Sequence, residues 1–574
     1  MRYTDLEPTI IGITSPEGPF PVFETTIDGE TRKVFGGLPD SLRDYYSNAA
    51  SFGDQDCLVE AGRRISFTEV LQQVAALGQS LASRHGIRKG DRVAIAMRNS
   101  PEWCMSFMAI TSLGAVAVPM NSWWQGEELA YGLEDSGAKL AILDGPRYQR
   151  IASWLTTSQL PVIGLDKEGA GLPDDVERLD ELLLSTDPAA IPAVEIGPED
   201  PAVVLYTSGS TGRARGVLST QRNVLSSIGT WLVIGTALSI VDGTLGTEPE
   251  VQPAILLTVP LFHVTGLNSM FLFSLGIGRK IVMMYKWNIE KALELIEAER
   301  ITHFNGVPTM SMELMNHPHL ADYDLSCLVD IASGGAARPA EQVAKLIETF
   351  PGALPSAGYG LTESNAVGCL IGQQDYIDRP GSVGLPSPPL TEVRIVNDDG
   401  EQLPAGERGE ICLRSPCVVS GYLNQPAASE AAFRRGWFHT GDVGYLDDDG
   451  FLHIVDRLKD IIIRGGENIS CTEVEEALYA HPDIVEAAVF SLPDGRLGEI
   501  VGAAVSTSAG CDLDTASVQA FLADKLAAFK IPQQVWLQDE PLTRIASGKI
   551  FKKQIRAELI ERLEFQRNQA AGRS

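Results

Sequence analysis

The chain has 574 residues, 44% of them apolar, and a mean hydropathy near zero, the composition of an ordinary soluble globular protein. Its formal net charge of −29 argues against nucleic acid and anionic membrane as main partners, since both would be repelled. Eight scattered cysteines include no Cys-x-x-Cys pair and no zinc-like Cys/His spacing, so reduced thiols in a cytoplasmic protein are expected.

No apolar stretch follows Asp5 and Glu7, so no signal peptide is expected, and the last four residues match no lipidation or peroxisomal signal. Residues 1 to about 40 lack clear periodicity and are expected to wrap the surface. From Ser66 the pattern becomes regular. Ser66 and Glu69 form a capping-box signature, and Val70, Val74, Leu77 and Leu81 recur at helical spacing until Gly86. Arg92 to Met97 predicts a strand, Pro101 to Leu113 a helix with proline at its first position, and Ala115 to Val118 another strand. A helix over 125–136 and a strand over 138–143 follow. Strand and helix alternate, which predicts a parallel sheet covered on both faces.

Next comes the stretch Tyr206-Thr207-Ser208-Gly209-Ser210-Thr211-Gly212-Arg213-Ala214-Arg215-Gly216-Val217, directly after the apolar run Val203-Val204-Leu205. Glycines allow backbone N–H groups close to an anion, hydroxyls donate further hydrogen bonds, and arginine adds charge. Such a loop on the end of a strand suits phosphate, although it lacks the Gly-Lys-Ser/Thr ending of a Walker A loop. By residue type alone, a flexible surface loop remains an alternative.

Thr220 can cap a helix reaching about Leu232, and residues 235–252 are expected to be a surface insertion. Residues 254–277 are the longest apolar run, but Pro260, His263 and Asn268 interrupt it, so a buried strand and helix explain it better than a membrane span. Alternation resumes with strands over 255–259, 281–284, 302–304 and 329–332 and a helix over 289–299. Beyond Thr391, short strands with Gly/Asp turns predict a small β-rich subdomain. From about Asp460 a compact α+β segment begins, with Ser470 and Glu473 capping a helix and a last helix after Lys549.

Eight stretches in order resemble the acyl-adenylate-forming (AMP-binding) superfamily, in its acyl/aryl-CoA ligase branch. They are residues 206–217; Pro260-Leu261-Phe262-His263-Val264-Thr265-Gly266; Gly358-Tyr359-Gly360-Leu361-Thr362-Glu363; Gly409-Glu410-Ile411; Trp437-Phe438-His439-Thr440-Gly441-Asp442; Asp456-Arg457-Leu458-Lys459-Asp460; Arg464-Gly465-Gly466-Glu467-Asn468; and Ser547-Gly548-Lys549-Ile550. The resemblance covers about residues 50 to 560. It implies an α/β fold, with a large N-terminal domain of parallel-rich sheets and a β-rich subdomain over 1–457. A hinge at 458–460 and a small mobile α+β domain over 461–574 complete the expected organisation.

The resemblance also implies roles. Thr207, Ser208, Gly209, Ser210, Thr211, Gly212 and Arg215 would cradle the β- and γ-phosphates of ATP. Glu363 resembles the Mg²⁺ carboxylate, with Thr207 as a further ligand and Thr362 touching the α-phosphate; a hard cation suits oxygen donors. Gly335, Ser356, Gly358 and Tyr359 would hold the nucleotide. Tyr359 offers a face for adenine, or else is a core tyrosine. Asp442 would accept from the ribose hydroxyls, with Arg457 beside it. His263 either gates the acyl pocket or is a plain core histidine. Lys549 would neutralise charge as the carboxylate attacks phosphorus. Gly465 and Gly466 would line a pantetheine tunnel, and Lys459 would sit at the hinge.

Where the family usually has Pro-Lys, this chain has Ala214-Arg215, which keeps the charge. The candidate acyl pocket, His263, Thr265, Ser269, Gly306, Val307, Gly334 and Val367, is small or apolar with no arginine for a second carboxylate. A hydrophobic monocarboxylic acid is therefore the expected substrate. The leading reading is an AMP-forming carboxylate–CoA ligase using ATP, Mg²⁺ and coenzyme A, with no nucleic-acid partner and no transmembrane segment. A homodimer is among the assemblies it admits. Alternatives are an acyl-AMP ligase loading a carrier protein, a luciferase-type oxygenase, and a non-catalytic binding module of the same fold.

Overall fold

Helix starts follow local capping chemistry. Ser66 caps the helix Phe67–Ser83 by accepting from the Glu69 amide, while the Glu69 carboxylate accepts from the Ser66 amide at 2.8 Å. Thr220 and Asn223 form the same reciprocal cap on the helix Gln221–Val241. Proline opens the helix Pro101–Ser112, which is buried at all of its 12 positions. A helix apolar on every side belongs inside a protein, and this one lies between two sheets. The computed structural model describes residues 2–571 apart from 28, 168, 170, 185–190, 208–213, 335–337, 339, 458–459, 465–466, 495, 509, 524 and 546–547, with backbone alone at 341, 457, 467–468 and 564–571.

The first sheet has seven strands, in the order Arg215–Thr220, Pro201–Thr207, Val116–Pro119, Arg92–Ala96, Leu140–Asp144, Val162–Leu165 and Glu177–Arg178. Its first pair is antiparallel and the rest are parallel. The second sheet has nine strands. Six central ones are parallel, in the order Leu354–Tyr359, Asp330–Gly334, His303–Gly306, Ala254–Leu257, Lys280–Met283 and Asp56–Glu60, and antiparallel strands flank them. One core spans both sheets, joining Val93, Ile142 and Leu205 to Leu58, Ile255 and Ile281 through the helices between them. Two smaller five-stranded sheets follow in the chain. The first ends with Leu452–Arg457; the second begins at Ile462 and has its own core around Val474, Val489 and Val505.

Two expectations need correction. The helix after Thr220 does not stop near Leu232 but continues to Val241, so the surface insertion begins only after it. Val233 and Ala237 carry the helix onward because Leu6, Ile10 and Ile13 pack with them in one buried cluster. Those residues belong to the N-terminal segment, which forms a helix over Glu7–Ile13 and a hairpin of strands Val22–Ile27 and Glu30–Phe35. Seven residues are too few to display helical periodicity, so the segment looked featureless. Among the described residues, Gln221–Val241 is also the one helix long and apolar enough to cross a membrane, yet 56% of its most apolar window is buried inside the protein. It is a core helix by that criterion.

Candidate active site

Thr207, Gly306, Gly334 and Tyr359 are each the last residue of a strand. Both large sheets thus present their carboxyl ends to one crevice, where open α/β sheets bind ligands. Thr207 pairs with Arg215 across the hairpin whose tip is the phosphate-type loop. Ser208, Gly209, Ser210, Thr211 and Gly212 lie outside the described residues, as do Gly335, Lys459, Gly465, Gly466 and the side chain of Arg457.

The flank of that loop is tied to the predicted metal carboxylate by a residue the sequence reading missed. The Tyr422 hydroxyl donates to Glu363 Oε1 at 2.9 Å, and the Arg215 guanidinium sits 5.5 Å from the centre of the Tyr422 ring. Burial and the neighbouring Glu363 push the Tyr422 hydroxyl well above its usual range, so it stays protonated and donates. Glu363 itself stands beside Thr362 on a short turn directly after the strand ending at Tyr359, and its carbonyl accepts from Val419 at 2.9 Å. An isolated tyrosine in Gly421-Tyr422-Leu423 carries no pattern; the Leu423 amide bonding Gly216 at 2.7 Å brings it here.

Asp442 is buried, and the Tyr359 hydroxyl donates to its Oδ2 at 2.7 Å. Tyr359 is thus a mostly buried ring that orients the carboxylate. The turn carrying Asp442 is fixed by a network. Glu410 Oε1 accepts from the Gly441 amide at 3.1 Å, and the Thr440 hydroxyl donates to the Ile411 carbonyl at 2.8 Å and accepts from the Asp442 amide at 3.1 Å. Strand pairing also brings Glu410, Cys412 and His439 together, although their spacing in the chain is unlike a zinc motif. Arg434 already lies 2.9 Å from His439 Nδ1, so a guanidinium occupies the place of a cation there. In the ladder, Asp442 is directly opposite Arg457.

Gly334 and Gly358 are register partners. Among the described residues, a Cβ built on Gly334 would meet only the Gly358 carbonyl oxygen at 3.8 Å, and one on Gly358 only Leu370 and Cys369 atoms at 3.8 and 3.9 Å. Two adjacent residues without side chains leave a flat slot between the strands. Gly306 is tighter, with a Cβ there 3.1 Å from Met310 Sδ. Thr265 opens a π-helix over Thr265–Leu272, in which the Ser269 hydroxyl donates back to the Thr265 carbonyl at 2.7 Å. Val307 and Val367 are buried. Ser356 is not brought to this group: its hydroxyl donates to Asp330 Oδ1 at 2.9 Å.

Lys549 arrives from the far end of the chain. It lies on a hairpin closed by the Ile545 amide bonding the Lys549 carbonyl at 2.8 Å and by a bridge between Arg544 and Ile550. That hairpin docks on the helix Pro308–Met315: Arg544 donates to the Thr309 hydroxyl at 3.3 Å, and a Cβ on Gly548 would lie 3.0 Å from Val307 Cγ2. Gly548 has φ +84, open to glycine. Docking puts Lys549 close enough for its charge to act on His263. The His263 side chain is half-buried, its Nε2 is buried with no partner among the described residues, and desolvation, then Lys549, lowers its pKa to about 3. His263 is therefore neutral at physiological pH.

This has a pH consequence. The unfolded chain binds a proton at His263 from about pH 6.5 downward, while the folded chain resists it until about 3. The unfolded state holds more protons in that window, so the stability tied to this group is complete above about 6.5 and is lost as pH falls. His263→Phe is expected to shrink the loss of thermal stability between pH 6.5 and 4, measured as the difference in Tm against the parent at each pH. An unchanged difference would show that the ring is not held neutral.

The two large sheets and the smaller sheets after them are the fold of an adenylate-forming enzyme, with Glu363 and the buried Asp442 near the strand ends, and the chain belongs to the AMP-binding enzyme family. The family's sequence profile matches residues 46–423, and that of the AMP-binding enzyme C-terminal domain matches residues 473–549. The chain is 35% identical over 496 residues to a feruloyl-CoA synthase of an Amycolatopsis species, covering 86% of this chain and 94% of that protein. It is 32% identical to a long-chain-fatty-acid–CoA ligase of Bacillus subtilis, with 90% and 93% covered. The o-succinylbenzoate CoA synthetase of Bacillus subtilis, solved with its acyl-adenylate intermediate, superposes with a TM-score of 0.74 at 28% identity, with 89% and 97% covered.

Proposed function

We propose that this protein joins a hydrophobic monocarboxylic acid to coenzyme A in two steps, through an acyl-adenylate. The observation that carries the reading is the docking of Lys549 beside neutral His263, at the crevice that also holds Glu363 and Asp442. The names of the relatives, a feruloyl-CoA synthase and a long-chain-fatty-acid ligase, support the class and a hydrophobic acid.

In the first step the acid's carboxylate oxygen attacks the α-phosphorus of ATP, and the bond to the bridging oxygen breaks to release pyrophosphate. Lys549 holds positive charge beside the attacking carboxylate and the α-phosphate, in a crevice where low dielectric strengthens it. His263, being neutral, adds no competing cation and shapes the mouth of the acyl pocket. Asp442, oriented by Tyr359, accepts from the ribose hydroxyls. The oxygen donors of Glu363 and Thr207 fit Mg²⁺, which when bound shields the negative charge of the polyphosphate. Arg215 lies at the base of the phosphate loop, with Tyr422 linking it to Glu363.

In the second step the CoA sulfur attacks the acyl carbon and AMP leaves. We place the N-terminal domain at 1–457, the hinge at 458–460 and the mobile domain at 461–574, so that undocking of the Lys549 hairpin separates the steps. Small residues at Gly306 and Gly334, with Val307 and Val367, leave room for a bulky acyl group. All eight cysteines are free and six are buried, which supports a reducing, cytoplasmic setting.

The test is pyrophosphate release over alkyl, aryl and arylalkyl acids, with mass spectrometry of the thiol product. Acyl-CoA formed from hydrophobic monocarboxylates supports the reading. Preference for acetate or a dicarboxylate would overturn the pocket assignment, and acyl-AMP that never reaches CoA would point to a carrier protein as acceptor.

A further inference from the structure

The helix Cys471–Tyr479, in the unit that begins at Ile462, is capped by two different parts of the chain. The Ser470 hydroxyl accepts from the Glu473 amide at 3.2 Å, an ordinary local cap. The remaining bonds reach the strand Leu452–Arg457, which is paired into the sheet of the preceding unit. Ser470 Oγ donates to the Val455 carbonyl at 2.8 Å, and Asp456 Oδ2 accepts from the amide of Cys471, the first residue of the helix. The Cys471 thiol donates to the Asp460 carbonyl at 2.9 Å. Asp456, Ser470 and Cys471 are all buried.

The first amide of a helix has no acceptor within the helix, and the positive end of the helix dipole lies beside it. A carboxylate placed there makes a charge-assisted bond, about twice as strong as a neutral one. Lys552, at the start of the last helix, adds to this, pairing with Glu475 at 2.6 Å. Desolvation opposes the Lys552 charge, while Glu475 and, more weakly, Asp456 sustain it. Asp456 therefore faces two positive groups of the C-terminal unit, a helix start and an ammonium. Val455 and Asp456 precede residues 458–460 in the chain, and Ser470 and Cys471 follow them. A rotation about that segment pulls the two pairs apart. The join is also remote in sequence from the Lys549 hairpin and its contact with Thr309.

We infer that Asp456, acting through the Cys471 amide and helped by Ser470, is a positioning residue for acyl-adenylate formation. It latches the C-terminal unit in the arrangement that brings Lys549 to the crevice, and the latch opens for the thiol step. This rests on the proposed two-step reaction and its hinge. Adenylation draws on latched molecules and thioester formation on unlatched ones, so the ratio of the two rates follows the equilibrium between them. Loss of one hydrogen bond to a charged group corresponds to about tenfold in that equilibrium.

The test measures pyrophosphate exchange, and thioester formation from supplied acyl-AMP, on one preparation each of the parent, Asp456→Ala, Asp456→Asn and Cys471→Pro. Proline suits the first position of a helix but has no N–H, so Cys471→Pro removes the donor and keeps the helix. The ratio of adenylation to thioester formation is expected to fall about tenfold in Asp456→Ala and in Cys471→Pro. In Asp456→Asn, whose amide oxygen still accepts, it is expected to stay within about threefold of the parent. Inactive protein lowers both rates alike and leaves the ratio unchanged. A ratio within twofold of the parent in both latch-breaking variants overturns the inference. So does a fall in Asp456→Ala alone, which would place the cause at the neighbouring Arg457. Trypsin, which cleaves after Arg457 and Lys459, is expected to cut the hinge of both latch-breaking variants severalfold faster than that of the parent. Cleavage at the parent's rate in both overturns the latch. This readout needs no substrate, so it judges the latch even where the parent forms no thioester and the ligase reading fails.

Discussion

Lys549→Ala is expected to slow acyl-adenylate formation by about 10²–10³-fold, the cost of removing one preorganised charge from a transition state in a water-poor site. The same variant, given synthetic acyl-AMP, is expected to form the thioester at a rate near that of the parent, since the lysine belongs to the first step alone. Its hairpin carries the side chain to His263 while the contacts that hold the hairpin, Arg544 to Thr309 and Gly548 to Val307, use other residues. The substitution removes a charge and leaves those two contacts in place. Pyrophosphate exchange and single-turnover thioester formation on one preparation give the two numbers. Equal loss in both would mean that one arrangement of the units serves both steps.

The second large effect is expected at Gly334. A valine there has room among the described residues, because of these a Cβ would approach only the Gly358 carbonyl, at 3.8 Å. The space it fills is the slot between two register partners. Gly334→Val should keep the parent's Tm within a few degrees yet lower kcat/KM for a bulky acid by about 10²-fold, since displacement of a reactant by an ångström has that effect. Smaller acids should lose less. Full activity with bulky acids would remove Gly334 from the pocket. A collapse of Tm would mean that the slot is closed by the protein.

The two effects differ in how readily they follow from sequence. Ser66, Thr220 and Ser470 announced their helices because a cap is written within four residues, and the motif around Glu363 is contiguous. Regular alternation announced parallel sheets, but the strand order that splits them in two depends on crossovers with no local mark. Tyr422 escaped notice because its role arises from a contact across 59 residues with Glu363. The same holds for Glu410, Cys412 and His439, which meet only through strand pairing. The helix running on to Val241 was hidden for another reason: its stabilising partners, Leu6 and Ile10, sit at the opposite end of the sequence. Local patterns name elements and motifs; long-range burial decides where elements stop and which side chains meet.

The hairpin that carries Lys549 makes the first step conditional on an equilibrium. Adenylation runs only in molecules whose hairpin is docked, so the measured rate is the intrinsic rate multiplied by the docked fraction. Substitution at Thr309, whose hydroxyl accepts from Arg544 of the hairpin, acts through that fraction. A change that docks the hairpin more tightly raises the first step toward a plateau and then starves the second, which needs the lysine out of the way. Turnover is therefore highest at an intermediate docking strength. The small residues at this joint, Gly548 against Val307, are suited to an attachment that must be made and broken in every cycle.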